Sequence, residues 1–275
     1  IFILAPEKRA MEIILDWQLF LIVIASTLTI ASGYIINNFY DAKKDLINRP
    51  RKAMIDRLVS QETKLKVYFV INGLVALLMF FVSWRAVLFF STYIFLIWFY
   101  SHKLKKMFLI GNLTASILAV LPFFGILMYY KNFYSVIFAH AFFLFLLIFI
   151  RELIKDLENI EGDLVADYKT IPVVFGDNKA KTIISTLAAV TLIPVYLLVE
   201  IYDIGYMDIY FYLSLAALLF FVLKLWKSTT KADYLKLHFL LKFIIVSGVF
   251  CIVLIEPAVL IHGKTVILTH SLSIY

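Results

Sequence analysis

Long apolar runs recur along this chain of 275 residues and constrain its fold more than any other feature. Each run is 16–24 residues long, and a helix needs about 20 residues to cross the hydrocarbon core of a bilayer. We therefore predict an all-α fold, a polytopic membrane helical bundle. The eight predicted spans are residues 17–38, 66–83, 86–101, 108–130, 134–151, 180–201, 208–226 and 238–261.

The charge of the chain is sparse and unevenly distributed. Only 16% of the residues are charged, whereas soluble domains carry about 25%. Four segments between the predicted spans hold 21 of the 26 Lys and Arg residues and 12 of the 19 Asp and Glu residues. These segments are residues 39–66, 102–107, 151–181 and 224–242.

The basic segments predict the orientation of the bundle. Basic loops of membrane proteins stay in the cytoplasm, so we expect all four segments on the cytoplasmic side of the cytoplasmic membrane, with the C-terminus outside. The formal charge of +7 therefore indicates topology and contact with membrane lipid, and does not indicate a nucleic-acid binder. Chemistry is expected on the same side, where both signs of charge are abundant.

Individual residues in the runs have structural interpretations. The chain begins with Ile1 rather than Met, and residues 1–5 resemble the last turns of a truncated helix. His140 is expected to be a hydrogen-bonded packing residue, and Cys251 a small packing residue. Prolines that should kink their spans are Pro122, Pro194 and Pro257.

An acidic motif stands at the end of the first run. Asn37, Asp41 and Asp45 are spaced four residues apart, and such positions share one face of a helix. Magnesium prefers one or two carboxylates together with phosphate oxygens and waters, which this column supplies. The alternative is a polar helix end that is solvated by water and neutralised by Lys43 and Lys44.

A second acidic motif follows the fifth run. Asn159, Asp163 and Asp167 repeat the four-residue spacing and share a face if the segment stays helical. Arg151 and Lys155 precede them on the same stripe, as suits a metal-bridged diphosphate. Taken alone, the segment is better explained as a salt-bridged amphipathic loop. Two such columns on one side of the membrane favour a site for magnesium and a diphosphate.

A third basic loop carries Lys103 and Lys105, which either contact phosphate or serve only as topology signals. The chain also has 26 Phe and 16 Tyr residues. Their rings could stabilise a carbocation in a pocket, although most are better explained as lipid-facing surface and interfacial belts.

These motifs resemble the UbiA family of intramembrane prenyltransferases over nearly the whole chain. The first family motif, Asn-Asp-x-x-Asp-x-x-x-Asp, stands here as Asn37-Asn38-x-x-Asp41-x-x-x-Asp45 and is followed by Ile47-Asn48-Arg49-Pro50. The second resembles residues 156–163, followed by Lys169-Thr170-Ile171-Pro172-Val173-Val174-Phe175-Gly176.

The resemblance implies a single prenyltransferase domain over residues 1–275, with eight of nine transmembrane helices present. It implies a Mg²⁺-dependent transfer from a prenyl diphosphate to a lipophilic acceptor. The implied catalytic residues are Asp41, Asp45 and Asp163. The implied metal ligands are Asn37, Asp41, Asp45, Asp156, Asn159 and Asp163. The implied substrate-binding residues are Asn37, Arg49, Lys103, Lys105, Arg151 and Lys155.

Three positions depart from the family pattern. Asn38 replaces the usual Asp of the first motif. Asn159 stands where the family commonly has Asp, which removes one negative charge from the implied metal site. Asp167 occupies a position where many members have Gly.

Short stretches resemble the branch that transfers a geranylgeranyl group to geranylgeranylglycerol phosphate, such as Leu109-Ile110-Gly111-Asn112. An aromatic acceptor, as in quinone biosynthesis, is the close alternative. From another class, an ion-coupled secondary transporter would place its acids near the bilayer midplane, whereas here they lie at span ends. A catalytically inactive scaffold is the third interpretation.

Overall fold

The computed structural model describes residues 15–202 and 204–255, and in these residues the chain is all-α. The helices are α1 (Trp17–Asn48), α2 (Pro50–Asp56), α3 (Gln61–Phe80), α4 (Trp84–His102), α5 (Ile110–Tyr130), α6 (Ser135–Glu158), α7 (Ile160–Val165), α8 (Ile171–Phe175), α9 (Asp177–Val190), α10 (Leu192–Tyr196), α11 (Asp208–Lys227) and α12 (Lys231–Cys251). Short 3-10 turns occupy Leu104–Lys106, Gly205–Met207 and Ile252–Ile255.

Eight helical stretches in the described residues are long and apolar enough to cross a bilayer. They coincide with the eight predicted spans, which confirms the predicted fold class. The last span was predicted to reach residue 261, and its portion beyond residue 255 lies outside the described residues, as do Pro257 and residues 1–5.

Helix α1 extends ten residues beyond the predicted span 17–38 and ends at Asn48. A proline disfavours helical backbone at the residue that precedes it. Arg49 accordingly leaves the helix, with φ −143° and ψ 62°, immediately before Pro50. The first acidic motif therefore lies on the same continuous helix as the first span.

The two long segments between spans are partly helical, as expected from their sequence. Both prolines of these segments stand in the first turn of a short helix, Pro50 in α2 and Pro172 in α8, where a missing N–H costs nothing. Ser60 caps α3 by accepting a hydrogen bond from the Thr63 N–H at 3.1 Å, as its position before the span predicts.

The two described span prolines have different surroundings. Pro122 lies inside the continuous helix α5. The span containing Pro194 is divided instead: α9 ends at Val190, α10 carries the proline, and a π-helical turn follows at Leu197–Ile201. This division is consistent with the backbone donor that a proline removes.

The helices group into two compact units. The first contains residues 15–133 and Lys155–Ala180. Its apolar core is built from α1, α3, α4 and α5 around Ala25, Val75, Met79 and Phe90. A polar contact also joins two of these helices, since the Ser32 hydroxyl donates to Asn72 Oδ1 at 2.8 Å.

The second unit contains Tyr134–Ile154 and the described residues from Lys181 onward. His140 packs there as predicted, with its Nδ1 2.8 Å from the Val136 carbonyl oxygen and its ring edge-on to Phe211. Helices α11 and α12 approach closely where the Tyr210 hydroxyl donates to the Ile244 carbonyl at 3.0 Å.

Gly248 permits this approach of α11 to α12, because a Cβ at residue 248 would lie 2.8 Å from Tyr210 Cζ. We expect Gly248→Ala to lower the free energy of unfolding by about 1–3 kcal/mol through overpacking. Gly73→Ala is the matched control, since a Cβ at that helical position meets nothing within 4 Å. Thermal unfolding in detergent measures both, and an unchanged melting temperature for Gly248→Ala contradicts the close approach.

Candidate functional site

One face of α1 carries the first half of the candidate site. A helix turns by about 100° per residue, so Asn37, Asp41, Lys44 and Asn48 fall within a narrow stripe. Lys105 meets this stripe, where its Nζ donates to Asp41 Oδ1 at 2.6 Å and to Asn37 Oδ1 at 3.2 Å. The first motif therefore contacts the third basic loop, a pairing that the sequence pattern does not predict.

Lys105 is held in place by the 3-10 turn that follows α4. The residue is only 8% exposed, and Gly111 packs so closely that a Cβ there would lie 2.9 Å from the Lys105 carbonyl oxygen. Burial lowers the pKa of Lys105, while the Asp41 carboxylate opposes that shift. Lys103, two residues earlier, is exposed.

The second half of the site follows α6. The side chain of Asp163, in α7, is completely buried and forms an ion pair with Lys44. Burial raises the pKa of Asp163, against the opposing effect of Lys44 and Lys155. The charge on Asp163 thus depends on the lysines around it, because a buried carboxylate without a partner is unfavourable.

Tyr168 joins the two halves. Its hydroxyl donates to Asp41 Oδ1 at 2.8 Å, and its backbone N–H donates to the Asp163 carbonyl at 2.8 Å. Lys44 Nζ lies 4.3 Å from the centre of the Tyr168 ring. Asp41 and Asp163, separated by more than 120 residues in the chain, therefore belong to one cluster with Lys44, Lys105 and Tyr168.

Asn48 fastens the same two segments through the backbone. Its Oδ1 accepts from the Gly162 N–H at 3.1 Å, and its Nδ2 donates to the Asn159 carbonyl at 3.4 Å. Asn48 is buried, and a Cβ on Gly162 would overlap its amide group. A glycine at 162 and a short amide at 48 are therefore both required for this contact.

The remaining predicted metal ligands have separate partners. Asp156 accepts from Asn112 Nδ2 at 2.7 Å. The buried Asn159 donates to the Lys155 carbonyl at 2.6 Å, and its Oδ1 accepts no hydrogen bond from any described residue. Asp45 turns away from Asp41 and pairs with Lys52 at 3.2 Å.

Two of the predicted substrate-binding residues, Arg49 and Arg151, form ion pairs outside the cluster. Arg49 Nη2 is 3.4 Å from Glu158 Oε1, in the first unit. Arg151 belongs to the second unit and pairs with its neighbour Glu152 at 3.2 Å. Of the six predicted substrate-binding residues, the structure thus brings Lys105 and Asn37 into the cluster, and Lys155 is near enough to affect the pKa of Lys105 and Asp163.

The expectation of one continuous helical column from Asn159 to Asp167 is wrong. Helix α6 ends at Glu158, Asn159 has non-helical φ and ψ of −118° and 19°, and α7 ends at Val165. Asp167 is exposed and has φ +56°, a left-handed conformation that Gly adopts freely and Asp tolerates. Tyr168 follows this reversal directly, and its hydroxyl reaches Asp41.

The carboxylates are separated by cations rather than gathered together. In the described part of the chain, no three Asp, Glu, His or Cys side chains are grouped as a ready metal site. The four-residue spacing of the two motifs identifies the carboxylates, but it does not identify the two residues that lie between them, Lys44 and Tyr168. In the sequence, Lys44 is interpreted only as a neutralising charge. The available signal for Tyr168 is an aromatic residue after the second motif.

Comparisons with known proteins agree with the family resemblance. The model of the UbiA prenyltransferase family matches residues 9–259. A digeranylgeranylglyceryl phosphate synthase of Methanobrevibacter smithii is 28% identical over 222 residues, which cover 74% of this chain and 75% of that relative. The enzyme of the same name from Methanosphaera stadtmanae is 34% identical over 184 residues, covering 65% of this chain and 66% of the relative.

Solved structures show the same fold. A structure of digeranylgeranylglyceryl phosphate synthase in membranes has a TM-score of 0.70 at 22% identity, covering 93% of this chain and 90% of the other. A UbiA homologue from Archaeoglobus fulgidus bound to GPP and Mg²⁺ has a TM-score of 0.66 at 16% identity, covering 91% of each chain.

Asn48→Ala tests whether Asn48 holds the two halves of the site together. The change leaves the buried Gly162 N–H and Asn159 carbonyl without this partner, at a cost of about 1–3 kcal/mol for each. We expect faster amide hydrogen exchange in residues 159–168, with exchange in α11 unchanged as the internal control. Equal protection of residues 159–168 in variant and parent protein would show that Asn48 does not fasten this segment.

Proposed function

Because this chain belongs to the UbiA prenyltransferase family, we propose that it transfers a prenyl group from a prenyl diphosphate to a lipophilic acceptor in the membrane and releases diphosphate. The observation that carries this proposal is the single cluster formed by Asp41, Asp163, Lys44 and Lys105. The carboxylates can bind a divalent cation, and the ammonium groups beside them can bind the negative oxygens of a diphosphate. The cluster also stands at the ends of apolar helices, where a lipid-soluble substrate would present its charged group.

The donor atoms of the cluster fit Mg²⁺. Asn159 Oδ1 is buried and accepts no hydrogen bond from the described residues. The carboxylate of Asp163 is also buried, and hard oxygen donors are those that Mg²⁺ takes. Asp41, Asp163 and Asn159 would hold the ion in this assignment, while the other predicted ligands, Asn37, Asp45 and Asp156, stay predictions. When bound, Mg²⁺ would supply Lewis-acid stabilisation of the negative charge on the diphosphate.

The lysines have two roles in this proposal. Without substrate, Lys44 and Lys105 neutralise the buried carboxylates of Asp163 and Asp41. With substrate, the same ammonium groups donate charge-assisted hydrogen bonds to the phosphate oxygens. Lys155 contributes further positive charge. Arg49, Lys103 and Arg151, which lie outside the cluster, stay predictions for substrate binding.

Tyr168 serves as a positioning residue in this assignment. Burial and the adjacent Asp41 raise the pKa of its phenol, so the group stays protonated and acts as a donor to Asp41. The ring also covers Lys44, where a cation is attracted by the aromatic face. Both contacts hold Tyr168, which follows the second motif, against Asp41 and Lys44 of α1.

The acceptor we propose is geranylgeranylglycerol phosphate. The curated relatives from M. smithii and M. stadtmanae bear the name of a synthase that makes a glyceryl phosphate product, and the motif resemblance favours the same branch. An aromatic acceptor is the alternative. The eight apolar helices support a multi-pass membrane protein, and the basic loops support the cytoplasmic membrane with the cluster facing the cytoplasm.

Removing either carboxylate tests the assignment of the cluster. We expect Asp41→Asn and Asp163→Asn each to lower the turnover of prenyl transfer by about 100-fold or more, as is typical of lost charge stabilisation at a reacting group. Release of diphosphate from geranylgeranyl diphosphate by protein in detergent is the measurement. Glu62→Gln, which removes an exposed carboxylate on α3, should leave turnover unchanged. Near-parental turnover of both Asp variants would remove the assignment.

Product identity tests the acceptor and the rival class. Membranes containing the protein, incubated with labelled geranylgeranyl diphosphate and a mixture of acceptors, should yield a labelled glycerol phosphate lipid. A labelled aromatic product would favour the alternative acceptor. Ion flux in liposomes without diphosphate release would instead favour a secondary transporter.

A further inference from the structure

A second charged surface of the first unit lies outside the cluster. A cavity of about 160 Å³ is enclosed by the end of α1, by α2 and by the first turn of α3. Its lining includes Asn38, Lys43, Asp45, Asp56, Arg57 and Lys64. Asn38 is rotated by about 100° from Asn37 around α1, so the cavity occupies a different face of α1 from the stripe that contacts Lys105.

The acidic residues of this cavity are neutralised by Lys52, which lies on α2 outside the lining. Lys52 Nζ lies 3.2 Å from Asp45 Oδ2 and 3.8 Å from Asp56 Oδ2. Asn38 Nδ2 also donates to Asp56 Oδ2, at 2.5 Å. The two carboxylates therefore provide little attraction for an additional cation.

The other cations of the lining have no counter-charge among the described residues. Lys64 Nζ donates to the neutral amide oxygen of Asn38 at 2.9 Å. Lys43 and Arg57 are exposed and form no ion pair with a described carboxylate. Three positive groups around one cavity favour an anion, and Arg57 can bind a phosphate with two parallel hydrogen bonds.

Asn38 strengthens this positive character in this chain. The family motif has Asp at this position, and a carboxylate there would add a negative charge beside Asp56 and Lys64. The amide leaves Lys64 with a neutral partner. Gln61, at the start of the 20-residue helix α3, also lines the cavity, and the positive end of a helix dipole favours an anion further.

Apolar side chains beside the cavity indicate that the anion belongs to a lipid. Met54, Ile55, Leu58 and Val59 surround Arg57 in the sequence, and each is between 46% and 85% exposed. Solvent-exposed apolar groups beside unpaired cations, at the ends of two membrane helices, suit the boundary between headgroups and hydrocarbon. The cavity is smaller than the ~300–1,000 Å³ of pockets that hold whole ligands, so it would hold a headgroup while the chain stays in the membrane.

The geometry points to a binding site in this cavity for the phosphate monoester headgroup of a membrane lipid, held by Lys43, Arg57 and Lys64. Under the proposed function, on which this assignment of the source rests, that lipid is the phosphate-bearing acceptor. The site would hold the acceptor by its headgroup at the end of α1, on a different face of the helix from Asp41. An anionic phospholipid with the same headgroup, such as phosphatidic acid, is the other source.

Kinetics with two acceptors test the site. In phosphatidylcholine nanodiscs, Arg57→Gln and Lys64→Gln should each raise the KM for geranylgeranylglycerol phosphate about tenfold, the size expected for a lost charged hydrogen bond. The KM for geranylgeranyl diphosphate and for the phosphate-free geranylgeranylglycerol should not change. The control is Lys66→Gln, which removes an equal charge from α3 at an exposed residue paired with Glu62.

Binding of phosphatidic acid provides a readout that does not depend on activity. If the site holds bulk lipid, the parent protein should retain phosphatidic acid about tenfold more strongly than Arg57→Gln, with Lys66→Gln equal to the parent. Arg57 is exposed, so this variant tests the site even if Lys64→Gln fails to fold.

The outcomes separate this inference from the proposed function. A parent protein that transfers no prenyl group to any acceptor contradicts the proposed function, and phosphatidic acid binding then still decides the lipid site. The other outcome is an active parent protein in which Arg57→Gln and Lys66→Gln have the same KM for the acceptor and the same binding of phosphatidic acid. That result would overturn the lipid site and leave the proposed function intact.

Discussion

Charge can be buried at the edge of a lipid bilayer only where it is paired, and paired charge joins the two acidic segments of this protein. Asp163 is completely buried and depends on Lys44, while Asp41 depends on the buried Lys105. Removing one partner of a buried pair typically costs about 3–5 kcal/mol, because it leaves the other charge uncompensated. The contacts that define the candidate site thus also hold α1 against the 3-10 turn after α4 and against the segment after α6.

This dual role has a consequence for ligand binding. Lys44 and Lys105 are occupied by carboxylates in the absence of ligand, so a diphosphate alone would compete with Asp163 and Asp41 for them. A divalent cation bound together with the diphosphate would give the carboxylates another partner, and Lys44 and Lys105 could then donate to the phosphate oxygens. Under the proposed function, the arrangement would therefore favour joint binding of metal and diphosphate.

The sequence was sufficient to predict the eight membrane helices, since each is a long apolar run, but helix ends follow local chemistry instead. Helix α1 continues through the polar residues after position 38 and stops where Pro50 constrains Arg49. Spacing alone paired Asn159 with Asp167, yet the left-handed backbone of Asp167 separates them. In the site, the carboxylates were evident from spacing. Tyr168 was not, because it reaches Asp41 only through that reversal, and nothing in the loop pattern distinguished the buried Lys105 from the exposed Lys103.

Helix α1 supports two surfaces because consecutive residues on a helix face in different directions. Asn37 contacts Lys105, whereas its neighbour Asn38 contacts Asp56 and Lys64. Asp45 lies about 80° from Asn37 around the axis, between the two faces, and pairs with Lys52 on the side of the cavity. A change at residue 38 can therefore alter the charge of the cavity without altering the Lys105 contacts. Under the proposed function and the inferred lipid site, one polar helix end would thereby separate recognition of a headgroup from binding of a diphosphate.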